Sequence, residues 1–140
     1  MPAPILDTHA WVWWVQADPR FDHRTVAALD ALPPDDRPGL CDISLWEVAM
    51  LVTLGRLTLG EPLESWLDAA ADPRTVRVLP VTPAIAAEVA RLPDTFHRDP
   101  ADRLIVASCR ALGLPLVTRD RAITQARLVR RWTPEASPEK

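Results

Sequence analysis

The stretch that decides the fold is His97-Arg98-Asp99-Pro100-Ala101-Asp102-Arg103-Leu104-Ile105-Val106-Ala107-Ser108. Apolar and small residues recur from Leu104 to Leu112 with the spacing of one helix face, which predicts a core helix. Asp99 is the expected N-cap and Pro100 suits the first helical position, so that Asp102 lies in the first turn. Capping and the helix dipole alone explain both acids, unless other acids converge on the same place.

Working outward, short apolar strands alternate with helices along the whole chain. Strands are predicted at 4–6, 39–43, 76–81, 114–118 and 128–132, with helices between them. Thr8 is the expected cap of the first helix, and Ser44 with Glu47 has the spacing of a capping box. The alternation predicts an α/β sandwich: a mostly parallel sheet of four to five strands with helices on both faces.

Length and composition set the class of protein. The 140 residues suit one domain, predicted at 1–132, followed by a disordered tail at 133–140. No apolar run is long enough to span a membrane, and no signal peptide is predicted. Two cysteines make no disulfide framework, so a cytoplasmic location is expected.

Charge is unevenly distributed although the net charge is only −3. Residues 1–70 carry a net charge of −7, and residues 71–140 carry +4. Fifteen of the sixteen basic residues are arginine, which suits bidentate contacts with phosphate. A solvated surface with a compositional bias explains the same pattern equally well.

Five acids follow predicted strands or begin the helices after them, and these are Asp7, Glu47, Asp99, Asp102 and Asp120. Sites in open parallel sheets form at the carboxyl ends of the strands, so the topology can bring these acids to one edge. Each acid also has a purely structural explanation, because Glu47 can complete a capping box and Asp120 can cap the next helix.

Together the acids predict a metal site. Two carboxylates ~4 Å apart repel by roughly 4 kcal/mol at an effective dielectric near 20, so a cluster needs a cation or raised pKa values. Oxygen ligands point to Mg²⁺ or Mn²⁺, and such a site suits phosphodiester hydrolysis. Candidate ligands for the substrate phosphates are Arg98, Arg119 and Arg121. Arg103 is expected to be solvated or paired with an acid.

Other chemistries fit the sequence less well. The chain has four glycines and no Gly-rich phosphate loop, and neither Ser/His/Asp nor Cys/His catalysis has a local signature. His9 and His97 lie close in sequence to Asp7 and Asp99. The favoured interpretation of both is a partly buried or solvated imidazole rather than a member of the site.

At these residues the chain resembles the PIN-domain family, and within it the VapC-type toxins of bacterial toxin–antitoxin pairs. The resemblance covers about residues 4–132 and rests on four blocks in the family's order. The blocks are Ile5-Leu6-Asp7-Thr8-His9-Ala10-Trp11, Ile43-Ser44-Leu45-Trp46-Glu47-Val48-Ala49, His97-Arg98-Asp99-Pro100-Ala101-Asp102-Arg103-Leu104-Ile105 and Leu116-Val117-Thr118-Arg119-Asp120.

The resemblance implies a three-layer α/β/α PIN-like fold and a metal-dependent endoribonuclease. Asp7, Glu47, Asp102 and Asp120 match the family's acidic quartet, which binds Mg²⁺ or Mn²⁺ and cuts RNA, and Asp99 matches a frequent extra acid beside the metal. It further implies a homodimer, and an antitoxin of the VapB type that blocks the site. Two alternatives stay open: a PIN-type RNA-processing nuclease that is not a toxin, and a non-catalytic PIN-like binding module.

Overall fold

The computed structural model describes residues 3–134. Its strands are β1 (Ile5–Leu6), β2 (Gly39–Cys41), β3 (Arg77–Leu79) and β4 (Leu116–Val117). Its helices are α1 (Thr8–Val15), α2 (His23–Asp30), α3 (Ile43–Thr53), α4 (Leu63–Ala70), α5 (Pro83–Arg91), α6 (Pro100–Leu112) and α7 (Arg121–Ala126). The predicted tail at 133–140 lies outside the described residues apart from its first two positions.

The four strands form one sheet in the order β3-β2-β1-β4, and each neighbouring pair is parallel. Successive side chains of a strand point to opposite faces. On one face Leu6, Leu40 and Val117 pack with residues of α1, α2 and α4. On the other face Ile5 and Leu116 pack with residues of α5, α6 and α7. The predicted α/β/α layering is confirmed.

The predicted fifth strand at 128–132 is wrong. Arg131 forms only an isolated parallel bridge to Leu116, held by two backbone hydrogen bonds of 2.9 and 2.7 Å. Arg127 just before it adopts a left-handed φ of 55°, and Arg130 and Arg131 are exposed. A strand of two residues, β4, offers little edge to pair with, so the ladder ends after one bridge.

The central helix begins and ends as its sequence predicts. Asp99 is the N-cap of α6 and accepts a hydrogen bond from the Asp102 backbone N–H at 3.0 Å. Pro100 occupies the first turn, and Gly113 ends the helix with a left-handed φ of 68° that glycine adopts without strain. Ile105 and Val106 of this helix are fully buried, which anchors its first turn against the sheet.

Two other predicted caps are wrong. Asp7, rather than Thr8, caps α1 by accepting from the Ala10 N–H. Helix α3 begins after Asp42, whose side chain makes no capping bond, so Ser44 lies inside the helix instead of at its cap. Because neither Thr8 nor Ser44 caps a helix, their hydroxyls are able to hydrogen-bond each other near the acidic edge of the sheet.

Candidate metal centre

A cavity of about 300 Å³ opens beyond the carboxyl ends of β1 and β4. All five acids that the sequence predicts to meet are in its lining: Asp7, Glu47, Asp99, Asp102 and Asp120. They come from four separate parts of the chain, which the parallel strand order brings to one edge. Thr8, His9, Trp13 and Arg119 also line the cavity.

Asp7 is the most deeply buried of these acids, with only 5% of its surface exposed. One carboxylate oxygen accepts from the Ala10 N–H at 2.8 Å, and the other accepts from the Thr118 hydroxyl. Burial raises its pKa from 3.8 to about 6, against the lowering effect of both hydrogen bonds. Because burial disfavours the ionised carboxylate, a cation bound nearby would stabilise it.

Thr118 joins two of the acidic residues. Its hydroxyl donates to Asp7, and the same oxygen accepts from the backbone N–H of Asp120 at 3.0 Å. A hydroxyl has one proton and two lone pairs, so both bonds can exist together. Thr118 is buried and therefore fixes the position of Asp7 relative to the residue after β4.

Glu47 does not form the predicted capping box. Ser44, its expected partner, is fully buried and hydrogen-bonds the Thr8 hydroxyl at 2.8 Å, which ties α3 to α1. One Glu47 carboxylate oxygen, Oε1, is buried without a hydrogen-bond partner. Burial raises the Glu47 pKa, the Thr8 hydroxyl opposes the rise, and the negative charge of Asp99 adds to it. A buried acceptor without a donor is costly unless a ligand satisfies it.

Asp102 has the most strongly raised pKa of the five acids that line the cavity. Its side chain is 18% exposed, and a carboxylate oxygen lies 3.2 Å from His97 Nε2. Burial raises the Asp102 pKa from 3.8 to about 8, and the charges of the four other acids in the cavity add to the rise. The charge of Asp99 has the largest of these four effects.

Asp99 and Asp120 keep their capping roles while lining the cavity. Asp120 caps α7 by accepting from the Ile123 N–H at 3.0 Å, as Asp99 does for α6. Both residues are exposed. Each of these two acids therefore caps a helix and also lines the cavity, so the capping role predicted from the sequence does not exclude a role in the site.

The arginines divide into different roles. Arg119 lines the cavity, whereas Arg98 and Arg121 are exposed and do not. Arg103 is only partly solvated, and among residues 3–134 it pairs with no acid, so the predicted pairing is wrong. Its guanidinium donates to the backbone carbonyls of Phe96 and His97 at 2.9 and 3.1 Å, and so holds the loop before α6.

The histidines also differ from the favoured interpretation. His97 is partly exposed, as predicted, yet its ring stacks edge-on against Phe96 and its Nε2 contacts Asp102. His9 is exposed and lines the cavity. Sequence reasoning missed Thr118 and Trp13 altogether. A threonine at a strand end and a tryptophan on a helix are common, and neither carries a local signal of function.

The donor set of the cavity fits a hard divalent cation. Carboxylate oxygens dominate, two pKa values are strongly raised, and Glu47 Oε1 has no donor. Across residues 3–134 no three acidic, histidine or cysteine side chains already stand close enough to grip one ion. The five acids therefore share one cavity without converging on a single point.

Comparisons with known proteins agree with the fold. The family model described as PIN domain matches residues 5–128. Ribonuclease VapC22 of Mycobacterium tuberculosis is 38% identical over 127 residues, which cover 91% of this chain and 94% of that protein. The crystal structure of FitAcB from Neisseria gonorrhoeae superimposes with a TM-score of 0.67 at 26% identity, covering 93% of this chain and 96% of that one.

A more distant solved structure shows the same fold. A chain in a toxin–antitoxin complex from Klebsiella pneumoniae superimposes with a TM-score of 0.63 at 18% identity, over 95% of this chain and 98% of that one. Across residues 3–134, no helix combines the length and the apolar content that crossing a lipid bilayer would require.

Proposed function

This chain belongs to the PIN domain family, and from that premise we propose that it is an endoribonuclease that acts as the toxin of a VapBC-type pair. The observation that carries the proposal is the cavity that Asp7, Glu47, Asp99, Asp102 and Asp120 line together, where burial and the four other charges raise the pKa of Asp102 to about 8. Such a cluster destabilises a fold unless it has a use, and metal-assisted phosphodiester hydrolysis is the chemistry that best fits it. The similarity to Ribonuclease VapC22 supports the substrate class.

Asp7, Glu47, Asp102 and Asp120 are the residues that we propose to hold Mg²⁺ or Mn²⁺, with Asp99 beside them. A bound ion would activate a water for attack and neutralise charge on the phosphate. The protein's own contribution is to hold the carboxylates in place. Thr118 fixes Asp7 by a hydrogen bond, and the backbone of α6 aims Asp102 into the cavity from the first turn.

Arg119 is the residue of this chain best placed to bind the substrate phosphate. It lines the acidic cavity, and a guanidinium matches two phosphate oxygens at once. Arg98 and Arg121 remain candidates for phosphates further along the RNA, because both are exposed beside cavity residues.

We further propose that the protein works in the cytoplasm as a homodimer controlled by an antitoxin. Trp46 and Met50 of α3 and Leu54, its C-cap, lie four residues apart and expose 49%, 37% and 56% of their surface. This α3 face is an apolar stripe of the kind that a second copy would cover. The fold shared with the Klebsiella complex supports an antitoxin partner.

The test compares cleavage of mixed cellular RNA by the purified protein with Mn²⁺ and with a chelator. Asp102→Asn and Glu47→Gln should each reduce cleavage by about 10²–10³-fold, on the scale of losing a principal electrostatic group. Asp68→Asn, an exposed acid on α4 remote from the cavity lining, is the matched control and should cleave normally. Wild-type rates in the Asp102→Asn protein would refute the site.

Growth distinguishes a toxin from a processing nuclease. Expression of the wild-type chain alone in a bacterium should arrest growth, and Asp102→Asn should not. Cleavage in vitro without growth arrest would favour an RNA-processing enzyme. Binding of Mn²⁺ with no hydrolysis of any RNA would favour a non-catalytic binding module.

A further inference from the structure

A second cavity of about 260 Å³ adjoins the acidic one, and we call it the side cavity. Phe21, Thr25, Arg119, Arg131 and Trp132 are among the residues that line it. Arg119 lines both cavities, so the two open onto a common side chain. A chain molecule bound in the acidic cavity can therefore continue past Arg119 into the side cavity.

The side cavity carries excess positive charge. Arg119 and Arg131 are both exposed, and within residues 3–134 neither guanidinium has an ion-pair or hydrogen-bond partner. One carboxylate, Asp22, also lines the cavity. It caps α2 through the backbone and side chain of Thr25, and its charge acts on Arg119, so two arginines and one aspartate leave the lining with a net charge of +1. The arginines are therefore available to an anionic ligand, and arginine stays charged at every physiological pH.

Trp132 gives the side cavity an aromatic wall. Its ring is partly buried against the core beneath α1 and α2, and its backbone N–H donates to the Leu116 carbonyl at 2.7 Å. The bridge between Leu116 and Arg131 is parallel, so the chain leaves it toward the same sheet edge as Thr118. The segment predicted as a fifth strand therefore places Arg131 and Trp132 at the sheet edge where the acidic cavity opens.

We propose that the side cavity binds the nucleotide of single-stranded RNA next to the scissile phosphate. Arg131 binds the phosphate of this nucleotide, Arg119 between the two cavities holds the scissile phosphate, and Trp132 stacks on the base. This inference rests on the proposed ribonuclease function. An acidic peptide would also suit two arginines, but a peptide does not need an aromatic wall beside a hydrolytic cavity, so RNA is favoured.

The experiment measures binding of a fluorescent single-stranded RNA oligonucleotide to the Asp102→Asn protein, in which cleavage is blocked. Arg131→Ala and Trp132→Leu, each added to that background, should weaken binding about tenfold. Trp132→Phe keeps a stacking face and should retain most of the affinity. Arg56→Ala removes an exposed arginine that lines neither cavity, and it should bind like the parent.

Salt dependence adds a second readout. Loss of one phosphate contact should lower the slope of log affinity against log salt by about one for Arg131→Ala and leave it unchanged for Arg56→Ala. Thermal melting of each variant checks that the fold is intact. Unchanged affinity and slope in a folded Arg131→Ala protein would overturn the inference, as would equal binding by Trp132→Leu and Trp132→Phe.

The two proposals can fail separately. A protein that cleaves RNA but whose side-cavity variants bind like Arg56→Ala retains the proposed function and loses this inference. A protein that cleaves no RNA, yet loses oligonucleotide binding on Arg131→Ala, loses the proposed function alone. If Arg131→Ala weakens binding of a polyglutamate peptide but not of RNA, the side cavity serves a peptide and the inference is wrong.

Discussion

The hydroxyl of Thr118 donates a hydrogen bond to the carboxylate of Asp7, although 111 positions separate the two residues in sequence. The bond joins the ends of β1 and β4, the strand pair next to which the acidic cavity opens. Both residues are buried, so the contact is shielded from water and keeps most of its strength.

Thr118→Val should weaken Mn²⁺ binding by about 10–100-fold, because residues that orient a metal ligand act on that scale. The valine keeps the shape of the side chain but loses the donor to Asp7 and the acceptor for the Asp120 N–H. Thr118→Ser keeps both and should bind as the parent does. Calorimetric titration gives the affinities, and a valine variant with normal affinity would show that this bond does not orient Asp7.

Removing the charge of Asp102 should stabilise the metal-free protein at high pH. In the folded state the pKa values of Asp7 and Asp102 are about 6 and 8, against an ordinary 3.8, so the folded state binds more protons than the unfolded state. The contribution of these two groups to the free energy of unfolding is largest below about pH 4, and it is lost as the pH rises through 6 and 8.

Asp102→Asn should therefore raise the free energy of unfolding at pH 8 by about 1–3 kcal/mol, the scale of an uncompensated buried polar group. Its effect at pH 4 should be close to zero. Denaturant titrations in chelator measure both, with Asp68→Asn as the control. A stabilisation independent of pH would indicate that charge is not the cause.

Divalent cations should stabilise the protein more at pH 8 than at pH 5, because protons compete with the metal for Asp7 and Asp102. Mn²⁺ at 100 times its dissociation constant at pH 8 should add about 2.7 kcal/mol of stability at pH 8, and the same concentration should add less at pH 5. Melting temperatures with and without Mn²⁺ at the two pH values provide the measurement. An equal increase at both would mean that these carboxyls do not bind the ion.

Asp99 has two separable roles. Asp99→Ala should cost about 1 kcal/mol through loss of the α6 cap, whereas Asp99→Ser should keep the cap and the stability. Both remove the charge that has the largest effect on Asp102, so both should lower the pKa of Asp102. Thermal melting and carboxyl titration by NMR test the two effects, and an unchanged Asp102 pKa would refute the coupling.

Trp46→Glu on the α3 face should convert the proposed homodimer into a monomer, since a buried unpaired charge costs several kcal/mol at an interface. Val78→Glu changes another exposed apolar residue, on the edge strand β3, and is the control. Light scattering measures the mass. A wild-type monomer, or a dimer that survives Trp46→Glu, would exclude this face as the dimer interface.

Much of the fold was predictable because its signals are local. Helix α6, its Asp99 cap and its Gly113 end follow from residues adjacent in sequence, and so does the Thr82 cap with Pro83 on α5. The choice between Asp7 and Thr8 as the cap of α1 is also local. Sequence alone does not decide it, because aspartate and threonine both cap helices well.

The candidate site was predictable in its acids but not in their supports. Asp7, Glu47, Asp102 and Asp120 lie at strand ends or in the turns that follow, and parallel topology sends such positions to one edge. What frees Glu47 is the bond between Ser44 and Thr8, which are 36 positions apart. Residue spacing does not predict that contact, because it depends on how α1 and α3 pack against each other.

By itself, then, the sequence determined the order of the four strands and the helices along the chain, both ends of α6, and which carboxylates would share an edge. These depend on periodicity and capping, which act over a few residues. Only the tertiary structure decided that Thr118 holds Asp7, that His97 contacts Asp102, and that the last predicted strand shrinks to a bridge beside β4. Those outcomes depend on burial and on hydrogen bonds between distant segments, and packing alone sets which donors and acceptors meet.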